Sequence, residues 1–151
     1  MKIETLAIHA GQDPDPATGA AVVPIYATST YVQEAPGVHK GYEYSRTDNP
    51  TRTALQTQIA ALEGVLPGSN GGAIATASGL AATALIGYLL TPGDHILLPN
   101  DAYGGTFRLI ARVLSEHGLE WSVADMTDHT ALEEAIRPTT RLVWVETPTN
   151  P

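Results

Sequence analysis

The residues with the most chemical promise meet at Ser78-Gly79. There "GGAIATA" (71–77), with the texture of a short apolar strand, gives way to "GLAATALIGYLL" (79–90), with that of an apolar helix. A strand, a small-residue turn and a helix leave free backbone N–H groups at the carboxyl end of a sheet. Hydrogen bonding and the helix dipole both favour an anion there, and phosphate is the usual occupant. The plainer alternative is that Ser78 only caps the helix and Gly79 only fits a tight corner. A nucleoside triphosphate loop needs G-x-x-x-x-G-K-[ST], and no lysine lies near this turn. A dinucleotide fingerprint needs G-x-G-x-x-G, of which "ASGLAA" has one glycine; Asp101, closing "ILLPND", is a faint ribose-gripping candidate. What remains is a single phosphate group held by Ser78 and the N–H groups of Gly79 and Leu80.

A phosphate dianion needs a nearby cation. "GYEYSRTDNPTR" (41–52) offers Arg46 with Tyr44, and Tyr42 close by, just before a helix start. A guanidinium grips phosphate oxygens with two donors and a phenol adds another. Alternatively Arg46 pairs with Glu43 or Asp48 on the surface, an interaction worth little. "NDAYGGTFRL" then sets Tyr103 after the next apolar stretch, between Ala102 and Gly104. Its ring could lie flat against a planar ligand, or be an ordinary half-buried loop aromatic.

The elements that would position these residues follow from periodicity and caps. Residues 1–48 are rich in Gly, Pro, Thr and Tyr and show no sustained period. Val22, Val23, Ile25, Tyr26 and Tyr31 are too apolar for a solvated tail, so the segment is expected to be an extended arm packed on a neighbouring subunit. From Asn49 onward the chain is regular. "NPTRTALQTQIAALEG" has an Asn cap, Pro at the first helical position and Leu55, Ile59 and Leu62 on one face, with Gly64 as the stop. "GGAIATA", "DHILLP", "EWSVAD" and "RLVWVET" read as four short strands. Between them lie the helix from Gly79 to about Leu90, an amphipathic helix with Phe107, Ile110, Ala111 and Leu114 at i, i+3, i+4 and i+7 stopped by Gly118, and a short helix capped by Asp128 with Leu132, Ala135 and Ile136 inward. Alternating strands and helices predict an α/β domain with a mainly parallel sheet sandwiched by helices. The expected division is an arm, 1–48, and the first part of a larger domain, 49–151.

Composition narrows the partners. The 151 residues carry a net charge of -8, with two lysines and six arginines, which argues against nucleic acid or an anionic membrane. There is no cysteine, so disulfides and thiolate metal sites are excluded, and no metal site is expected. The start "MKIETLAIHAGQ" lacks the apolar core of a signal peptide, and the apolar run from Gly79 to Leu90 is too short to span a bilayer. A soluble, cytoplasmic protein is expected.

"YSRTDNPTR", "ATASGLAA", "DAYGGT" and "ETPTNP", in this order and spacing, resemble the cysteine/methionine-metabolism enzymes that use pyridoxal 5'-phosphate (PLP). That family includes cystathionine γ-synthase, γ-lyase and β-lyase, methionine γ-lyase and O-acetylhomoserine sulfhydrylase. The likeness runs from about Thr5 to Pro151, with "TLAIHAGQ" and "VPIYATSTY" matching its N-terminal arm. It implies an aspartate aminotransferase-like, fold type I large domain. It implies PLP as cofactor, a small amino-acid substrate, and a homo-oligomer, a dimer of dimers, with sites shared between subunits. By resemblance the N–H groups of Gly79 and Leu80, with Ser78, bind the cofactor phosphate, and Tyr44 and Arg46 reach the phosphate of the neighbouring subunit's cofactor. Tyr103 stacks on the pyridine ring and assists proton transfer, and Tyr44 is counted with it as catalytic. Glu146 and Asn150 belong to the cofactor-binding "ETPTNP" segment, the asparagine near the 3-oxygen. Glu43 is a candidate for a substrate-side role.

The departures are informative. PLP chemistry needs a Schiff-base lysine, and Lys2 and Lys40 match no such position. The family's aspartate for the pyridine nitrogen, its lysine and its substrate-carboxylate arginine all come after the matched region, so these residues alone are expected to be catalytically incomplete. Asp48 replaces a frequent glycine, and "VLPGSNGG" is an unusual loop. Gly105 stands where well-known methionine γ-lyases carry cysteine, which disfavours that activity. The pattern is most similar to the γ-synthase and γ-lyase branch, hence transsulfuration in methionine and cysteine metabolism. The rivals are a sulfhydrylase, β-lyase or methionine γ-lyase of the same family, a non-catalytic fragment, and a dinucleotide or S-adenosylmethionine domain.

Overall fold

The computed structural model describes residues 2–65 and 68–149. They form two compact units, Met1–Ala75 and Thr76–Pro151.

In the first unit the arm opens with a helix, α1 (Ile3–His9), where no period was expected. It packs on α2 (Pro50–Leu62): Gln58 Nε2 donates to the Ala7 carbonyl at 2.7 Å. Gly11, at φ 70°, brings the arm's backbone so close to α2 that a Cβ there would stand 2.3 Å from the Ala54 carbonyl oxygen. The packing face of α2 is therefore the Ala54 side. Leu55 and Ile59, on the apolar face that helical spacing marks out, are exposed in this chain. Asn49 caps α2, its Oδ1 accepting the Thr51 N–H at 2.9 Å, while Nδ2 donates to the Tyr26 carbonyl and Ser45 Oγ. Beyond the helix Gly64 turns the chain at φ 77°, as its position foretold.

The expected strand 71–77 does not form. Its backbone has no ladder partner among the described residues, and a strand exists only through such pairing. Ile74 is correspondingly exposed.

Among the described residues of the second unit three strands, not four, make the sheet: β1 (His95–Pro99), β2 (Glu120–Ala124) and β3 (Thr140–Val143), all parallel, in the order β2-β1-β3. Central β1 is buried along its whole length, as a strand covered on both faces should be. Ile96 and Leu98 form the core with Ile110, Leu114 and Leu119, flanked by Trp121, Leu142 and Trp144. His95, on the opposite face by alternation, is fully buried between two hydroxyls: Thr140 Oγ1 at 2.8 Å and Ser122 Oγ at 2.9 Å.

α3 (Gly79–Gly87) ends three residues before the expected Leu90, with Gly87 seated against the Leu114 side chain. The helix from Gly104 is α-helical only over α4 (Gly104–Leu109). It widens to a π turn over Ile110–Leu114, tightens to a 3-10 turn over Ser115–His117, and stops at Gly118 with φ 88°. Phe107 meets Trp121 edge-on at 5.2 Å. α5 (His129–Ala135) is capped by Asp128 as expected, but Ile136 lies past its end in extended conformation and is half exposed rather than inward.

Candidate functional site

β2 and β3 lie on opposite sides of β1, so the chain reverses its direction of travel across the sheet at β1. In open parallel sheets ligands bind in the crevice outside the carboxyl ends of the strands at such a switch point. Here that crevice is bordered by Tyr103, four residues beyond β1, and by Glu146, three residues beyond β3.

Tyr103 is half exposed. Its ring rests on the bare Cα of Gly105: a Cβ there would lie 2.4 Å from Cε1 and 3.0 Å from Cζ. Its backbone is held from across the crevice. Glu146 Oε2 accepts the Tyr103 N–H at 2.8 Å, and Oε1 accepts from Trp144 Nε1 at 2.8 Å and Thr106 Oγ1 at 3.1 Å. Burial pushes the Glu146 carboxyl up, but the donors of Tyr103, Trp144 and Thr106 outweigh it and hold it below the usual glutamate value. The carboxylate therefore stands ionised with its described contacts all to protein groups. Thr106 and Trp144 were not foreseen. Their only sequence signal is the alternation that brings Trp144 and Glu146 to one side of an extended segment.

At the start of α3, Ser78 is extended and its Oγ accepts the Ala81 N–H at 3.1 Å; its carbonyl accepts the Ala82 N–H. Among the described residues no acceptor meets the N–H groups of Gly79 and Leu80. A Cβ on Gly79 would touch nothing within 4 Å. Gly79 is therefore not required by packing against this chain, and the space before it is open. A cap that satisfies the third N–H, two free N–H groups and no side chain in front suit a phosphate group.

Tyr44 and Arg46 lie in the first unit, on a loop fixed by an antiparallel bridge between Thr30 and Tyr44. Arg46 makes no ion pair among the described residues; its guanidinium sits 4.8 Å above the Tyr44 ring. The alternative pairing with Asp48 does not occur. Asp48 instead accepts from the Asn49 N–H and Thr53, and lies 3.7 Å from Arg52. Arg52 braces the loop by donating to the carbonyls of Ser45 and Thr47. Asn150 lies outside the described residues. Among those described, no cluster of three or more His, Asp or Glu could hold a metal, and no helix is long and apolar enough to cross a membrane.

Residues 4–151 match the family of Cys/Met metabolism PLP-dependent enzymes. The chain belongs to that family. Over 97% of its length it is 57% identical to a probable cystathionine gamma-synthase of Herpetosiphon aurantiacus, spanning 44% of that protein. It is 51% identical to a cystathionine beta-lyase of Coxiella burnetii over 99% of the chain, 38% of the relative. A crystal structure of cystathionine gamma-lyase from Lactobacillus plantarum complexed with L-serine superposes on the whole chain with a TM-score of 0.90 at 48% identity, again over 38% of that molecule. The chain thus spans less than half the length of each of these relatives. The family uses PLP, and the open start of α3 and the half-exposed Tyr103 are compatible with its phosphate and its ring.

Proposed function

We propose that the protein carrying this chain is a PLP-dependent transsulfuration enzyme of the cystathionine γ-synthase or γ-lyase type. The observation that carries this reading is Tyr103, half exposed and anchored at the switch-point crevice between β1 and β3. When bound, PLP supplies an electron sink for the carbanions formed as an amino acid loses its α- and β-protons and its γ-substituent.

The roles proposed for this chain's residues follow from their chemistry. The N–H groups of Gly79 and Leu80, at the end of α3 that Ser78 caps, donate to the phosphate. Arg46 and Tyr44 add charge and a phenol to the phosphate of a neighbouring subunit's cofactor, so the site is shared in a homo-oligomer of two dimers. Tyr103 covers one face of the pyridine and moves protons with its phenol. Asn150 lies near the 3-oxygen. The covalent lysine is supplied from outside these residues, since Lys2 and Lys40 both belong to the arm. Location in the cytoplasm fits this metabolism.

The test is the visible spectrum of the full-length protein with PLP, before and after cystathionine. A yellow band that changes with substrate supports the reading, and a protein that stays colourless overturns it. Product analysis then separates the activities. Release of 2-oxobutanoate marks γ-elimination, and cystathionine made from activated homoserine and cysteine marks synthesis. Pyruvate marks the β-elimination that the Coxiella relative's name raises.

A further inference from the structure

The Glu146 carboxylate has two oxygens and three donors, and the donors come from three places: the main chain at the head of α4, a hydroxyl inside it, and the indole of Trp144. The Tyr103 N–H is an orphan donor at a helix start. Tyr103, the N-cap residue, makes no side-chain cap of its own. In a capping box an acid three residues on reaches back to the N-cap N–H. In α4 that third position is Thr106, whose side chain is too short for the task, and its hydroxyl points instead to the same remote carboxylate. An acid 43 residues away thus completes the helix start and ties it to the segment that follows β3.

An ionised Glu146 accepts three hydrogen bonds from protein groups and carries no proton, so it has no donor to offer an anionic ligand. We infer that Glu146 is a positioning residue: it fixes the main chain of Tyr103, and with the bare Gly105 beneath the ring it sets where that ring lies, while holding no cofactor atom itself. This rests on the stacking role proposed for Tyr103. The ring lies against Gly105, and the main chain that carries it is held by Glu146. Neither constraint alone defines the ring's place, because the side chain is half exposed and otherwise free to rotate.

The experiment is a double-mutant cycle on PLP affinity in the full-length protein, read by cofactor titration and by the circular dichroism of the bound cofactor. The variants are Tyr103→Ala, Glu146→Gln and the pair. Glu146→Gln keeps shape, so folding survives, but it turns one acceptor into a donor facing donors. Tyr103→Ala is expected to raise the dissociation constant roughly two- to twelvefold, the range of an aromatic stacking contact. Glu146→Gln should raise it by a similar or smaller factor and alter the cofactor's dichroism. In the Tyr103→Ala background it should change affinity less than about twofold, the signature of a residue acting through another. Additive effects would show that Glu146 meets the cofactor directly and overturn the inference; so would a Glu146→Gln protein with unchanged affinity and dichroism. If Tyr103→Ala itself leaves affinity unaltered, the stacking role falls first and the inference with it. Urea midpoints of the cofactor-free variants separate these outcomes from loss of fold.

Discussion

Replacing Gly105 by alanine sets two effects of opposite sign against each other, and the geometry decides between them. The new methyl would stand 2.4 Å from Cε1, 3.0 Å from Cζ and 3.1 Å from Cδ1 of Tyr103. Carbon pairs rest at about 3.5–4.0 Å, so the ring edge must retreat by about 1 Å. Were the ring trapped, the overlap would cost about 1–3 kcal/mol. It is not trapped: Tyr103 is 47% exposed, and a rotation about its side-chain bonds clears the methyl without moving the backbone that Glu146 holds. Alanine in place of glycine inside a helix contributes about 0.5–1 kcal/mol of stability in return. The cofactor-free protein should therefore unfold within about 1 kcal/mol of the parent, by the same balance of terms. Binding should suffer instead, because the displaced ring loses a stacking contact worth about 0.5–1.5 kcal/mol. Urea unfolding without cofactor and PLP titration of the full-length protein read the two terms separately. A protein whose PLP affinity is unchanged would refute the stacking geometry. One destabilised by more than about 2 kcal/mol would refute the freedom of the ring.

Arg46→Ala should weaken PLP binding by about 1.5–3 kcal/mol, since charged hydrogen bonds to phosphate are lost. Cofactor-free stability should fall by no more than the about 0.5–1 kcal/mol of an exposed cation–π contact with Tyr44; equal titration curves would remove Arg46 from the site. Asn49→Ala removes the cap of α2 and the amide's ties to Tyr26, Tyr31 and Ser45 of the arm, so a loss of about 1–2 kcal/mol is expected in urea unfolding, with a parent-like midpoint counting against the cap. Burial, helped by the nearby Arg137 and opposed by Glu120, holds the His95 imidazole below its ordinary value of 6.5. The unfolded chain then binds the proton more readily, so stability present above pH 6.5 is lost as pH falls below it toward the lower folded value. Urea midpoints at pH 7.5 and 5.5 should differ more in the parent than in His95→Gln, and equal differences in the two proteins would show that His95 is not held neutral.

What the sequence made legible was what neighbouring residues decide among themselves. Asn49 before Pro50, Ser78 before Gly79 and Asp128 before His129 each accept a backbone N–H two or three residues on, and each helix start was placed correctly. Glycines 64 and 118 sit at positive φ where a stop was expected. The failures share another cause, which is that the deciding partner is distant in the chain. "GGAIATA" has the composition of a strand, yet a strand is defined by a neighbour and none lies beside it among the described residues. Leu55 and Ile59 have helical spacing, but Gly11 lets the arm's backbone press on Ala54 and so selects the other face of α2. At the candidate site the same division holds. The open helix start of Ser78, Gly79 and Leu80 could be read from three adjacent letters, whereas the anchoring of Tyr103 depends on Glu146, 43 residues on, and on what the ring meets at Gly105. The glutamate was legible as part of "ETPTNP" but not in its geometry. A motif marks which residues a site retains, and only the fold tells whether a given one faces the ligand or holds in place the residue that does.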